Sequence, residues 1–263
     1  MSATSGNKFT VKALSLDGTG AAGAVTNFSQ DTSYTWLIAS GRVTNFDVAV
    51  LALDTDSFSN DLAGGVFSLS TNSSGLLLNF VNNQAPVAGN LTVTRNPGLG
   101  FTLLISDLLT NASDPDGDAV ALLSFSSSST NGIGNVTTDG TSIFYAPGTN
   151  GNVTDAFTYT VRDVRAYRVG DTVRNTTGIV VVNVAPAIPG QAQSISMPGS
   201  TAQLSFAGSV GYPYAVDRST NLTAWVTLLL TNMPPAGMFQ FTDDFSDLGG
   251  PPSAAFYRLR YAP

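Results

Sequence analysis

The sequence predicts an all-β protein, and three observations carry this prediction. All eighteen acidic residues are Asp and only two of the eleven basic residues are Lys, so two of the strongest formers of surface helices are absent or rare. The 26 Gly and 13 Pro disfavour helices as well. Short segments of alternating apolar and polar residues recur between turn signals, which is typical of strands buried on one face. We therefore expect three tandem β-sandwich modules in an elongated arrangement.

The first predicted module, residues 1–83, begins with the clearest alternating segment. Residues 9–16 alternate over eight positions and end at an Asp-Gly turn signal. Residues 34–39 are a second predicted strand. Residues 66–70 and 76–80 flank a polar turn, and this arrangement indicates a β-hairpin.

Two Pro-containing segments, residues 82–86 and 185–190, divide the chain. Each follows an apolar run, and Pro ends strand pairing and stiffens a linker. The resulting modules are residues 1–83, 84–185 and 186–263. Further strands are predicted at residues 142–145, 156–161, 179–184, 202–206, 214–217 and 256–260. The only helical feature expected is one turn near residues 106–109.

The composition also limits the chemistry that the chain can perform. There is no His and no Cys, which excludes a Ser-His-Asp triad, a thiolate nucleophile and a disulfide. A glycosidase would have to use two Asp, because no Glu is present. With a net charge of −7 and a pI near 4.3, the chain is a poor candidate for nucleic-acid binding. We expect a protein that is not an enzyme.

The charged fraction indicates where the protein acts. Charged residues make up 11% of the chain, against roughly 25% in ordinary soluble proteins, so Ser, Thr, Asn and Gly must form the polar surface. This pattern is common in secreted and cell-surface β-proteins. No apolar run approaches the roughly 20 residues of a membrane span, so no membrane insertion is expected. The N-terminus lacks the apolar core of a signal peptide, and the chain is therefore interpreted as a piece of a longer precursor or as exported by another route.

The middle module carries an ordered series of motifs that resembles the bacterial cadherin-like and immunoglobulin-like (Ig-like) tandem repeats. These motifs lie at residues 83–88, 108–118, 139–147 and 154–163, and the resemblance covers residues 83–184. It implies a seven-stranded Greek-key sandwich that serves as a spacer or adhesive unit. The chain departs from the family pattern after Asp163, where a Gly-rich turn is expected and a longer, Arg-rich segment occurs.

The flanking modules have resemblances of their own. Residues 33–39, 43–47, 53–62 and 64–69 resemble the passenger end of autotransporter-associated β-strand repeat proteins, although the β-helical repeats of that family are missing. Residues 214–225, 241–243 and 256–259 resemble short C-terminal β domains of large secreted bacterial proteins. Neither resemblance implies an activity.

The Asp-rich loop of the middle module is the predicted metal site. Asp114, Asp116 and Asp118 alternate around Pro115 and Gly117, and carboxylates in this spacing can converge on Ca²⁺, which accepts many oxygen ligands. The resemblance implies calcium in the same loop, with Asn111 and Asp163 as additional ligands. The alternative is an Asx-type turn without metal, for which Asp, Pro and Gly are the expected residues. The cluster at residues 54–61 is a weaker metal candidate, and Asp243, Asp244 and Asp247 are interpreted as a solvated acidic loop.

The Arg-rich segment of the middle module is the predicted interaction surface. Four of the nine Arg fall within thirteen positions around one Tyr, in a set consisting of Arg162, Arg165, Tyr167, Arg168 and Arg174. The alternative is a lengthened hairpin with a solvated charged tip. Arg and Tyr are enriched at interfaces, so we expect this segment to meet the acidic residues 54–61 or 243–247 of another copy. Strand addition by residues 8–16 would strengthen the contact.

These inferences predict an extracellular or cell-surface structural protein that self-associates into a bacterial fibre or layer. The partners are then copies of itself, with surface glycans as a further candidate. The alternatives are an adhesin stalk and a carbohydrate-binding accessory region of a large secreted enzyme. A lectin-like role requires an exposed aromatic stripe, whereas Trp36 and Trp225 lie in apolar contexts and are predicted to be core residues.

Overall fold

A computed structural model describes residues 4–41, 47–148 and 153–262. Nearly all regular structure in these residues is β-strand, arranged in several sheets, and the predicted all-β Ig-like sandwich class is confirmed. The one α-helix among them is α1, Ile105–Leu109, at the position where the sequence predicts a helical turn. Two short 3₁₀ turns lie at Val48–Val50 and Ser246–Leu248. Of the residues that carry the passenger-end resemblance, 43–46 lie outside the residues that the structure describes.

Twenty strands follow one another along the described chain. The first nine are β1 Phe9–Lys12, β2 Tyr34–Ser40, β3 Leu51–Asp54, β4 Val66–Asn72, β5 Gly75–Val81, β6 Val87–Ala88, β7 Leu91–Arg95, β8 Phe101–Leu104 and β9 Ala112–Ser113. The others are β10 Val120–Phe125, β11 Gly134–Thr138, β12 Ser142–Pro147, β13 Asp155–Asp163, β14 Asn175–Val184, β15 Gln191–Ser196, β16 Ala202–Ala207, β17 Pro213–Ser219, β18 Val226–Asn232, β19 Met238–Asp243 and β20 Phe256–Tyr261.

The chain divides into two compact units. The first comprises Met1–Gly89, Leu109–Ser124 and Thr160–Thr177, and the second comprises Asn90–Leu108, Phe125–Tyr159 and Gly178–Pro263. The boundaries of the three predicted modules stay a prediction.

In the first unit, β1 pairs in parallel with β3, while β2, β5 and β4 form an antiparallel sheet in that order. The predicted hairpin is present as β4 and β5. Its turn is closed by Asn72, whose Oδ1 accepts the backbone N–H groups of Ser74 and Gly75. Gly75 has a φ of 147°, and a Cβ there would lie 1.9 Å from the carbonyl oxygen of Ala39, so this position requires glycine.

The first unit also corrects one prediction. Trp36 is not a core residue, because 37% of its surface is exposed. All the remaining residues of β2 are at least partly exposed as well.

In the second unit, β11, β12 and β8 form one antiparallel sheet, and β14 pairs in parallel with β7. β7 and β14 belong to a four-stranded sheet with the strand order β10-β13-β14-β7. Aromatic residues fill the interior: the ring of Tyr145 on β12 lies 5.2 Å from that of Phe101 and 6.4 Å from that of Phe157 on β13. Buried and partly buried residues alternate along the whole of β13, as expected for a strand with one face against a core.

The C-terminal part of the second unit contains the sheets β15-β16-β19 and β18-β17-β20. Its apolar core includes Leu204, Phe206, Tyr214 and Val216. The interpretation of residues 243–247 as a solvated acidic loop is wrong for Asp243. This carboxylate is 5% exposed and accepts two hydrogen bonds, of 2.9 and 3.0 Å, from Nη1 of Arg218.

Trp225 does not lie in the buried core either. Its ring lies under the guanidinium of Arg258, at 4.2 Å, and its indole N–H donates to the backbone carbonyl of Leu222.

Candidate functional site

The Asp-rich loop folds as an Asx-type turn. Oδ1 of Asp114 accepts the backbone N–H groups of Asp116, at 2.8 Å, and Asp118, at 3.4 Å. Gly117 has a φ of 84° and donates its N–H to the carbonyl oxygen of Asp114. The turn leaves the second carboxylate oxygen of Asp114 buried, with no hydrogen-bond partner in the described part of the chain. A buried carboxylate oxygen without a partner is unfavourable unless a cation or a donor is nearby.

Three carboxylates converge at this loop, but they are not the three predicted from spacing. Oxygens of Asp114, Asp118 and Asp163 all lie within 4.8 Å of one another. Asp116 faces Gln84 instead, accepting its backbone N–H at 2.6 Å and its amide N–H at 2.9 Å. These hydrogen bonds, together with the charge of Arg165, outweigh the burial that opposes them and lower the pKa of Asp116. The third carboxylate of the cluster is thus Asp163, where the sequence pattern predicts Asp116.

The donor set fits a hard divalent cation. It offers carboxylate oxygens alone, which are the ligands that Ca²⁺ prefers, and one of them has no other partner. One positive group is already present, since Nη1 of Arg165 lies 2.7 Å from Oδ2 of Asp118 and 4.0 Å from Oδ2 of Asp116. A single guanidinium does not neutralise this many carboxylates. Asp114, Asp118 and Asp163 are therefore the residues that would hold the ion.

Asp163 is the centre of a buried polar network at the end of β13. It is fully buried, and its two oxygens accept the hydroxyl of Tyr167 at 2.5 Å and the side-chain amide of Asn83 at 2.7 Å. The same amide donates to the backbone carbonyl of Ala63. Burial and the hydrogen bond to Asp163 raise the pKa of Tyr167 to about 12. The network joins residues 4 to 84 positions apart, and it holds residues 63, 83 and 163–167 together.

The Arg-rich segment binds within its own chain. Arg165 donates from Nη1 to Oδ1 of Asn83 at 2.8 Å, besides its contact with Asp118. Arg174 pairs with Asp31 at 2.5 Å and also reaches the backbone carbonyl of Gln30. Tyr167 donates to Asp163 and accepts the backbone N–H of Arg174. Arg162 lies on β13 and is half-buried.

Arg168 contacts the loop that precedes β4. Its guanidinium donates to the backbone carbonyls of Phe58, at 2.9 Å, and Asn60, at 2.5 Å. It also pairs with Asp171, whose carboxylate accepts the backbone N–H of Leu62. In return, both oxygens of Asp61 accept the N–H of Thr172. Residues 54–61, predicted to meet these arginines from another copy, are thus contacted within one chain, by Arg168 at two backbone carbonyls and by Thr172 at Asp61. Asp243 and Asp247 pair with Arg218, which lies outside the Arg-rich segment.

The sequence could not indicate all members of this network. Asn83 lies in a predicted linker and gives no sign that its side chain is buried, whereas Asp171 and Tyr167 do lie in the segment singled out by its Arg content. Arg168 contacts backbone carbonyls, which every residue carries. The amino acids that supply these carbonyls therefore do not reveal the contact in the sequence.

The Ig-like motifs, strands β7 to β13 and the arginines of the network lie in one stretch of the chain. Residues 83–176 match the family model described as a bacterial Ig domain. The chain therefore carries a bacterial Ig-like segment, and the resemblance seen in the middle module is confirmed to that extent. No curated protein matches the chain. The resemblances of the flanking modules stay predictions.

Bacterial Ig domains are often extracellular or surface-exposed, and their all-β fold is typically non-catalytic. In general terms the Ig-like segment therefore indicates a surface or structural role. In the described ranges, no helix is long and apolar enough to cross a membrane.

Proposed function

We propose that this chain is a non-catalytic, extracellular structural segment of a bacterial surface protein, acting as a stiff spacer of the adhesin-stalk type. The observation that supports it best is the Arg-rich segment of the Ig-like region, which grips residues 58–62 of the same chain. A spacer keeps its two ends at a fixed separation only where successive segments resist bending. Contacts between domains within a chain ordinarily permit motion.

The strength of the grip follows from its chemistry. Hydrogen bonds to charged groups contribute about 1.5–3 kcal/mol each, roughly twice the value of neutral ones. Arg168 makes two such bonds to backbone carbonyls, and Asp171 and Asp61 each accept backbone N–H groups across the contact. Arg168 and Asp171 are 34% and 5% exposed in their side chains, so solvent screens this pair less than an open surface pair. The arginines are therefore assigned to internal stiffening.

The spacer proposal is tested by pulling single molecules of the full chain and by hydrogen exchange on the same protein. The double variant Arg168→Met with Asp171→Asn removes the grip, and Lys8→Met is the control because Lys8 is exposed outside it. We expect the double variant to unfold at a lower force and to lose amide protection at residues 62 and 172, with the control unchanged. Equal force and equal protection in all three proteins would contradict the proposal.

We also propose that the cluster of Asp114, Asp118 and Asp163 takes Ca²⁺ and that the ion stiffens the same region. At a hundredfold excess over Kd, a ligand specific for the folded state adds about 2.7 kcal/mol to stability. Thermal unfolding with Ca²⁺ and with chelator should therefore differ. Asp114→Asn should abolish the difference, while the matched control Asp116→Asn should keep it because Asp116 faces Gln84. Identical melting curves with Ca²⁺ and chelator would remove the calcium proposal and leave the spacer proposal standing.

Self-association is the second candidate function, and exposed strands favour it. β15 is exposed along its whole length, with Ile195 at 58% exposure and Met197 just beyond it at 54%, and β2 carries Leu37 at 52%. Strands of this kind pair readily with other chains when no Lys or Pro guards them. Light scattering from micromolar to millimolar concentration should then show growing polymers that Ile195→Lys weakens. A monomer throughout that range would exclude the fibre role.

A further inference from the structure

The first 83 residues contain an apolar cleft that neither the spacer role nor the calcium site uses. Its volume is about 550 Å³, within the roughly 300–1,000 Å³ of small-molecule sites. Apolar side chains from β1, β2, β4 and β5 line it, together with residues of the loops around positions 25–28 and 58.

The cleft is open, unlike the core of the Ig-like segment. Trp36, Ile38 and Leu14, which line it, are 37%, 41% and 51% exposed. The inward residues of β13, by contrast, are at 0% for Phe157, Tyr159 and Val161. A contiguous exposed apolar surface of this kind is typical of a binding groove.

The aromatic lining favours a linear aliphatic chain over a sugar. The rings of Phe28, Tyr34 and Trp36 form a stack, with centroids 5.4 and 5.1 Å apart and planes inclined by 29° and 16°. Rings stacked in this way cover one another's faces. The outer rings have further aromatic neighbours, since Phe28 lies 5.1 Å from Phe58 and Trp36 lies 6.3 Å from Phe67. A sugar platform needs open ring faces, whereas the aliphatic Val11, Ile38 and Leu78 suit contact with methylene groups.

The charge of the cleft indicates the other end of the ligand. Lys12 is the only charged residue among the described residues that line it. Its side chain is 56% exposed, and its ammonium nitrogen lies 3.8 Å from Oδ2 of Asp54, beyond hydrogen-bond distance. An anionic group at the mouth of the cleft can therefore accept a hydrogen bond from Lys12, in a chain that otherwise carries a net charge of −7.

We propose that this cleft binds an anionic amphiphile with a single linear acyl chain, such as a medium-chain fatty acid. The acyl chain lies along Trp36 and its aliphatic neighbours, and the carboxylate pairs with Lys12. No bond is made or broken.

The test uses the fluorescence of Trp36 in the full chain carrying Trp225→Phe, which leaves one Trp. 11-Bromoundecanoate is titrated below its micelle concentration, because bromine quenches a Trp that it touches. We expect saturable quenching that undecanoate reverses. Affinity should fall about fourfold for each methylene removed from the competitor.

Variants at the two Lys residues separate the head group from the chain. Lys12→Gln should weaken undecanoate binding roughly two- to fivefold and leave undecanol binding unchanged, while Lys12→Arg restores it. Lys8→Gln is the matched control, since Lys8 does not line the cleft. Calorimetry on the chain with both Trp residues checks that Trp225→Phe has not altered the site.

Three results would overturn the proposal. Quenching that rises linearly without saturation shows collision and no site. Equal effects of Lys12→Gln on undecanoate and undecanol refute the pairing of Lys12 with the carboxylate. Loss of quenching as the protein concentration rises, together with growth of dimers, shows that a second copy fills the cleft instead.

Discussion

Strands β13 and β2 have similar patterns of apolar residues but differ in how far those residues are buried. Each has large apolar residues at alternate positions: β13 carries Phe157, Tyr159 and Val161, and β2 carries Tyr34, Trp36 and Ile38. The intervening residues are two Thr in β13, and Thr35 and Leu37 in β2. In β13 the apolar set is fully buried, whereas in β2 Trp36 and Ile38 remain 37% and 41% exposed. Alternation therefore identifies which residues share a face of a strand, and it carries no information on whether another layer covers that face.

The largest expected effect on stability is in β13, the strand whose apolar residues are fully buried. Phe157→Ala should destabilise the fold by about 3–5 kcal/mol, because it leaves a cavity in a close-packed core. Leu37→Ala, at a position 52% exposed, should cost less than about 0.5 kcal/mol. Denaturant unfolding of both variants measures the difference. Similar losses would mean that β2 is covered as well as β13.

A smaller effect is expected where residue 64 meets the polar network. Gly64 has a φ of 82°, and a Cβ there would lie 2.9 Å from Nδ2 of Asn83 and 3.0 Å from the ring of Tyr167. Gly64→Ala should therefore cost about 1–3 kcal/mol from strain and displaced hydrogen bonds. Gly170→Ala is the matched control, because its φ is 94° and nothing lies near its Cβ position. Its cost should be strain alone, about 1 kcal/mol. Equal losses in thermal unfolding would show that the network yields without cost.

The smallest effect concerns pH and compares the interior of the Ig-like core with the polar network. Burial and the hydrogen bond to Asp155 raise the pKa of Tyr145 to about 12, and the pKa of Tyr167 is raised to about 12 as well. A phenol with a raised folded-state pKa stabilises the protein fully below its unfolded pKa, near 10, and this contribution is lost as the pH rises toward 12. Stability measured between pH 9 and 12 should fall. Tyr145→Phe should make that fall shallower, and an unchanged slope would contradict the assignment.

The sequence predicts local structure better than it predicts the candidate site, for a physical reason. The β4–β5 hairpin, the helical turn at α1 and strand β13 follow from turn residues and periodicity, which act over a few positions. The carboxylate cluster does not follow, because Asp163 reaches Asp114 through the folding of β13 and not through spacing.

The wrong burial predictions for Trp36 and Asp243 have the same cause. Whether a second layer covers Trp36 depends on residues far away in the sequence, and Trp36 remains exposed in the folded chain. Asp243 is buried because Arg218, 25 residues earlier, neutralises its charge. A carboxylate in an acidic segment of the sequence gives no indication that a distant arginine will pair with it. The calcium ligands, the self-association surfaces and the three-module division stay predictions.

The contacts of Arg168 have a consequence for how the sequence can change over time. The guanidinium holds the carbonyl oxygens of Phe58 and Asn60, and every amino acid supplies the same oxygen at those positions. Selection for this contact therefore constrains Arg168 and the path of the loop, but not the side chains of the loop itself.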